Sequence, residues 1–190
     1  MLNFLFFVLQ ILILIILLGT ATLFILWAVG NFMNKVPFVT ASSAVLKDVA
    51  EALDVKDNSV VYDLGCGDGR ILFYLSFIAP KARYIGIENS LFPFLLARFG
   101  SFLNYKKTGN KVDIIKGDFF KEDLSKVTHV FTYLYPNIMD DLLTKFDSEF
   151  NPGTKLVSLS FKFTNKQPIQ EIDLGRSKYK LGRKLYVYQF

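Results

Sequence analysis

The stretch VVYDLGCGDGR, Val60 to Arg70, gathers residue types that could do chemistry: an apolar run ends in a carboxylate, Asp63, and Gly65, Gly67 and Gly69 then recur at alternate positions. Glycine reaches backbone conformations closed to other residues. Such a turn lets main-chain N–H groups approach a ligand, and a helix starting near Arg70 would add the unpaired N–H groups of its first turn. The spacing is G-x-G-x-G. A dinucleotide fingerprint needs G-x-G-x-x-G, and a Walker phosphate loop closes in Gly-Lys-Ser/Thr; neither is present. A carboxylate ahead of the turn suits a cationic amino group better than a pyrophosphate. S-adenosylmethionine carries such a group beside its own carboxylate, and it is the expected cofactor.

Two more acidic residues end apolar runs. Glu88 closes YIGIE, about 20 residues past the glycines, where a carboxylate at the end of a second strand accepts both ribose hydroxyls. Asp118 closes DIIKGD and is placed to accept from the adenine amino group, with Phe119 or Phe120 to stack on the ring. Taken singly, each reads equally as a turn or cap residue; together, at successive strand ends, they favour a cofactor pocket. The expected cofactor set is Asp63, Gly65, Cys66, Gly67, Gly69, Glu88, Asn89, Asp118 and Phe119. Tyr133 and Tyr135, within TYLYPN, are the catalytic candidates. They would line an acceptor channel or accept a hydrogen bond from an amine, against the plainer reading that they pack on the following helix.

Cys66 is the only cysteine and His129 the only histidine, so an internal disulfide is excluded and zinc chemistry has no ligand set. Cys66, between two glycines, reads as a small residue filling a tight turn rather than a nucleophile. His129, opening an apolar run, reads as structural.

The elements that must position these residues alternate. SVVYDLG, ARYIGIE, KVDIIKGD, HVFTYLYP and TKLVSLSF read as strands. Arg70 to Ile78, Leu91 to Tyr105 and NIMDDLLTKFDSEF read as helices between them. Such alternation predicts an α/β fold: a Rossmann-like, mostly parallel sheet with helices on both faces. IQEIDL and KLYVYQF, joined by a short basic loop, predict an antiparallel hairpin at the C-terminal edge. Val45, Leu46, Val49, Ala50 and Leu53 share one face of a lead-in helix that Thr40, Ser42 or Ser43 can cap.

The chain opens with an uncharged stretch, and Lys35 is its first charged side chain. Leu2 to Val29 exceeds the roughly 20 apolar residues a helix needs to cross a bilayer. No basic residue precedes it and no clear A-x-A follows, which favours a retained span over a cleaved signal peptide. The expected organisation is a transmembrane anchor at 1–34, an extended linker NKVPFV, and a cofactor-binding domain at 35–190. Lys35 and Lys47 flank the span on its C-terminal side, predicting a single-pass membrane protein with its domain in the cytoplasm, or in mitochondria if the source is eukaryotic. The formal charge of +5 lies downstream, with Lys162, Lys166, Arg176, Lys178, Lys180, Arg183 and Lys184 crowding the last stretch. That is a surface for anionic lipid or an ordinary solvated face. Without interleaved aromatic and basic residues, a nucleic acid partner is not expected.

DLGCGDGR resembles the first motif of the class I, seven-strand S-adenosylmethionine-dependent methyltransferases. More narrowly, VPFV, VVYDLGCGDGRI, GIENSLFPFLLAR, YLYP and FKFTNKQPI resemble the small membrane-anchored lysine methyltransferases that act on adenine nucleotide translocase and the ATP synthase c-subunit. The resemblance implies Asp63 and the three glycines at the methionine end of the cofactor, Glu88 at the ribose and Asp118 at the adenine. It departs at VPFVTASS and ENSLFPF. The Asn/Asp-Pro-Pro-Tyr signature of amide and nucleobase methylation is absent, its place taken by YLYP. A lysine of a membrane-associated protein is therefore the first expected acceptor. A quinone or lipid comes second, and a noncatalytic cofactor-binding interaction module stands as the non-enzymatic alternative.

Overall fold

The structure, a computed structural model, describes residues 2–33, 41–175 and 183–190. The chain divides into two compact units, Met1–Pro37 and Phe38–Phe190. The expected boundary at residue 34, the linker and Thr40 lie outside the described residues, as do Arg176, Lys178 and Lys180 of the basic stretch.

The described residues of the first unit form one helix, α1 (Leu2–Met33). Over Asn3–Ala28 it is long and apolar enough to cross a membrane, and none of its most apolar window is buried inside the protein.

The second unit is a seven-stranded sheet in the order β3-β2-β1-β4-β5-β7-β6. Its strands are β1 (Val60–Leu64), β2 (Arg83–Glu88), β3 (Val112–Lys116), β4 (His129–Thr132), β5 (Lys155–Leu159), β6 (Gln170–Asp173) and β7 (Lys184–Gln189). β1 to β5 run parallel. β7 pairs antiparallel with both β5 and β6, so the C-terminal hairpin forms as expected and β6 is the edge. A parallel pair needs a crossover of a dozen or more residues, and the chain between β6 and β7 is too short for one.

Both sheet faces are covered, which is why the inner strands read as almost continuous apolar runs. One face packs against α2 (Leu46–Leu53), α3 (Arg70–Ile78) and α4 (Leu91–Thr108) through Val49, Leu53, Ile71, Leu72, Leu75 and Ala97. The other packs against α5 (Pro136–Glu149) through Met139, Leu142 and Phe146, joined by Phe163 and Tyr188. The Tyr188 hydroxyl accepts from the Phe163 N–H at 3.1 Å, satisfying the one polar atom on a buried ring.

Three boundaries differ from the sequence expectation. The lead-in segment enters as a 3₁₀ turn, Ser43–Val45, with the Ser42 hydroxyl accepting from the Ala44 N–H at 3.3 Å. α4 continues to Thr108, because only at Gly109, φ +75°, does a residue take the left-handed conformation that stops a helix. β4 ends at Thr132 rather than running through YLYP: Pro136 opens α5, where its missing N–H costs nothing. Tyr133, Leu134 and Tyr135 thus leave the sheet.

Candidate functional site

β1 lies between β2 and β4, so the chain's progress across the sheet reverses at β1. Ligands of open α/β sheets bind beyond the carboxyl ends of the strands at such a switch point, and Asp63 stands there. It is 2 % exposed. No donor among the described residues reaches its carboxylate, although the residue lines an open cleft. Burial, then the nearby Glu88 and Asp68 charges, push its pKa well above the ordinary carboxylate range. An acceptor left this way, at the mouth of a cleft, is a seat for a cation.

The glycine turn is fixed by its backbone. Gly65, Gly67 and Gly69 have φ of +80°, +59° and +80°, a region that costs a β-carbon about 1–2 kcal/mol. The N–H groups of Gly65 and Cys66 both donate to the Ile87 carbonyl, at 2.9 and 3.0 Å. Glu88 braces the turn from β2: its Oε2 accepts from the Gly67 N–H at 3.0 Å and its Oε1 from the Ser90 N–H at 2.7 Å. A β-carbon on Gly86 would stand 2.7 Å from the Cys66 Sγ, so strand and turn are in contact where that side chain is missing. The Cys66 thiol is buried, and burial, followed by the Asp63 and Glu88 charges, raises its pKa. That accords with a packing role and not a nucleophilic one.

Arg70 locks the entrance. It pairs with Asp68 and its Nη1 donates to the Ala41 carbonyl at 2.9 Å, tying the turn to the segment that precedes α2. Ala41, Arg70, Phe131 and Tyr133 line the same cleft as Asp63 and the turn.

Across the cleft the chemistry changes. Tyr133 is half-buried, hydrogen-bonds with Ser160, and has its pKa raised by burial. Its ring lies 6.2 Å from that of Phe161, and the Tyr135 ring lies 5.3 Å from it on another side. Ser160, just past β5, has φ +72°. A non-glycine residue there is strained, and such strain gathers at functional sites.

The cleft therefore brings together Asp63, Gly65, Cys66, Gly67 and Tyr133, while Tyr135 packs on Phe161 and lies outside its lining. Glu88 stands behind the turn. Asp118, beyond β3, accepts from the Phe120 N–H at 3.1 Å through Oδ1, leaving Oδ2 without a described donor. Phe119 packs on the second core while Phe120 is exposed, so Phe120 is the freer ring for stacking. Asn89 is exposed and offers its carbonyl to Lys116 Nζ at 2.6 Å. His129 sits at the opposite, amino end of β4, 2.8 Å from the Thr128 hydroxyl. Sequence reasoning missed Ser160, Phe161, Phe131 and the Arg70 contact with Ala41. A glycine at 160 would have signalled the positive φ; a serine does not.

A buried carboxylate that no described donor reaches, beside a glycine turn that lets a ligand approach the main chain, fits the methionine end of S-adenosylmethionine. Asp63, Glu88 and Asp118 follow one another across β1, β2 and β3 in sheet order, a file of acceptors along which an extended nucleoside can lie.

Comparison with known proteins agrees. The ANTKMT methyltransferase domain family matches residues 63–170. A protein-lysine N-methyltransferase of Saccharolobus islandicus (strain REY15A) is 33% identical over 162 residues, 83% of this chain and 96% of that protein. The adenine nucleotide translocase lysine N-methyltransferase of Mus musculus is 28% identical over 150 residues, 76% of this chain and 61% of that enzyme. An RNA methyltransferase from Salinibacter ruber, solved with S-adenosyl-L-homocysteine, superposes with a TM-score of 0.71 at 30% identity, covering 80% of this chain and 93% of that one. With a cleft at the switch point and these relatives in view, the chain is an S-adenosylmethionine-dependent methyltransferase and belongs to the ANTKMT methyltransferase family.

Proposed function

We propose that the protein methylates lysine side chains of a membrane-associated protein, from a domain at 35–190 held to the bilayer by an anchor at 1–34. The observation that carries this reading is the meeting, in one cleft, of the Asp63 carboxylate, which no described donor reaches, and the half-buried Tyr133 hydroxyl. The protein-lysine activity of the Saccharolobus and mouse relatives supports the acceptor, and α1 supports the tether.

When bound, the cofactor supplies an electrophilic methyl group on a sulfonium. In the proposed seat Asp63 would pair with its ammonium, and the glycine turn would let the methionine end approach the main chain. Glu88 accepts from the ribose hydroxyls, Asp118 accepts from the adenine amino group, and Phe119 or Phe120 covers the ring, with Asn89 at the rim. These residues would hold the cofactor for in-line transfer of its methyl to a neutral lysine amine, the S–C bond breaking as the N–C bond forms and the product ammonium losing its proton to solvent.

Alignment does most of this work. Tyr133, whose raised pKa keeps it a phenol, does not serve as a phenolate base. It accepts from or donates to the amine and fixes its approach, while Tyr135, Phe161 and Phe131 give a dry wall that disfavours the charged ammonium. Lys35 and Lys47, C-terminal to the span, favour the cytoplasmic side for the domain. A tether raises the local concentration of acceptors in the same membrane.

Purified full-length protein with methyl-labelled cofactor, offered membrane extract and total RNA, tests the reading. Label in a protein band, mapped to lysine by mass spectrometry, supports it. Label in RNA, the acceptor of the Salinibacter relative, or in the organic extract would replace it.

A further inference from the structure

We infer that the outward face of α4 is a membrane-surface contact, seated at the headgroup level of a bilayer containing anionic lipid. The inference extends the proposed tethering by α1, and its test separates the two. α4 carries more Leu and Phe than the sheet covers. Pro93 and Ala97 face inward, and Asn104 ties the helix to Ser76 of α3 at 3.2 Å. Outward, Leu91, Leu95, Phe99, Phe102 and Leu103 are exposed, Phe99 by 63%. The next residue of α3 after Ser76 is Phe77, 72% exposed. Contiguous apolar surface of this kind marks a contact site.

Charge names the occupant. α4 contains no acidic residue. Its cations, Arg98, Lys106 and Lys107, form no ion pair among the described residues. Arg98 lies over the Phe94 ring at 6.0 Å and Lys106 over the Phe102 ring at 5.6 Å, their stems laid along apolar surface with the charges free to reach phosphates. Aromatic and leucine residues bounded by unpaired basic ones make an interfacial helix. The basic C-terminal region differs: Lys166 faces Asp147 and Lys184 faces Glu171. Covalent length is consistent, because the residues from Met33 to Ala41 can span at most about 28 Å. A domain behind a membrane-spanning helix stays within reach of the surface.

The test uses full-length protein in phosphatidylcholine vesicles with and without phosphatidylglycerol. An environment-sensitive fluorophore is placed by Leu14→Cys, Phe99→Cys or Asp141→Cys, the last on exposed α5; the buried Cys66 stays unlabelled. Lipid-borne quenchers should quench positions 14 and 99 but not 141, with quenching at 99 reduced at least twofold when phosphatidylglycerol is omitted. Quenching at 14 without quenching at 99 overturns the contact and leaves the anchor standing. Quenching at 99 alone supports the contact and overturns the anchor. Shielding of position 99 from aqueous iodide without lipid quenching, or its crosslinking between copies, assigns the face to a protein and overturns the inference. Equal quenching at 99 in both lipids overturns the anionic preference.

Discussion

The two halves of the sheet's carboxyl edge are built from opposite materials. At the ends of β1, β2 and β3 the groups are carboxylates and glycines: Asp63, Glu88 and Asp118 present oxygen atoms, and the turn at 65–69 is held by main-chain bonds to β2. At the ends of β4 and β5 the groups are rings, Phe131, Tyr133, Tyr135 and Phe161, with a single polar pair between Tyr133 and Ser160. In the proposed reading the nucleotide half meets a ligand whose sulfonium charge does not vary with pH, and fixed acceptors suit it. The acceptor half must receive an amine only when it is uncharged, and poor solvation selects for that form. Substitutions in the first half should therefore act on cofactor binding, and those in the second on turnover.

The largest expected effect is on the turn. Gly67→Val places a β-branched residue at φ +59° and should displace the backbone enough to weaken cofactor binding by about 100-fold. Calorimetry measures it, and near-native affinity would break the division.

Asp63→Asn follows. Losing one hydrogen bond to a charged group should cost roughly 10- to 100-fold in cofactor affinity. The apo protein should melt no lower than the wild type, since an unpartnered buried carboxylate is removed. The same residue predicts a pH dependence. Its apo pKa is raised, so the folded state holds a proton that the unfolded state releases above its ordinary pKa. Apo stability from Asp63 thus falls as pH climbs from about 4 toward the raised value. Ligand ammonium favours the ionised form, so binding should release a proton in that window and tighten as pH rises through it. Calorimetry in buffers of different ionisation enthalpy should detect the proton for wild type and none for Asp63→Asn.

On the acceptor side, Tyr133→Phe should lower kcat by about tenfold and leave cofactor affinity within about twofold. Ser160→Ala should give a smaller loss in the same direction. If either variant weakens cofactor binding as Asp63→Asn does, the two halves are not functionally separate. The smallest effect belongs to Cys66, whose raised pKa predicts slow alkylation at pH 8 by iodoacetamide, measured by mass spectrometry against a free thiol.

Much of this was legible in the amino-acid order because the motifs are local. DLGCGDGR declared a turn needing positive φ, and the acidic ends of YIGIE and DIIKGD declared acceptors at strand ends. Only the paired structure showed that Glu88 already braces Gly67 and that Phe119 turns into a core while Phe120 faces out. The Tyr133 contact with Ser160 joins positions 27 apart in sequence, and Ser160 carries no residue-type signal for its backbone conformation.

α4 and α5 make the same point. α5 buries Met139, Leu142 and Phe146 and presents polar residues outward, as its spacing demands. α4 carries Leu and Phe on more faces than one, a pattern that alone does not say which face is covered; its place at the sheet's flank leaves Leu95, Phe99 and Phe102 exposed. Sequence by itself determined the alternation of strands and helices, the glycine turn, the cofactor class and the uncharged terminus, because each depends on neighbours a few residues apart. Tertiary structure decided which tyrosine faces the glycine turn, what braces that turn, and which apolar surface stays bare, because those depend on packing between segments that chain order does not bring together.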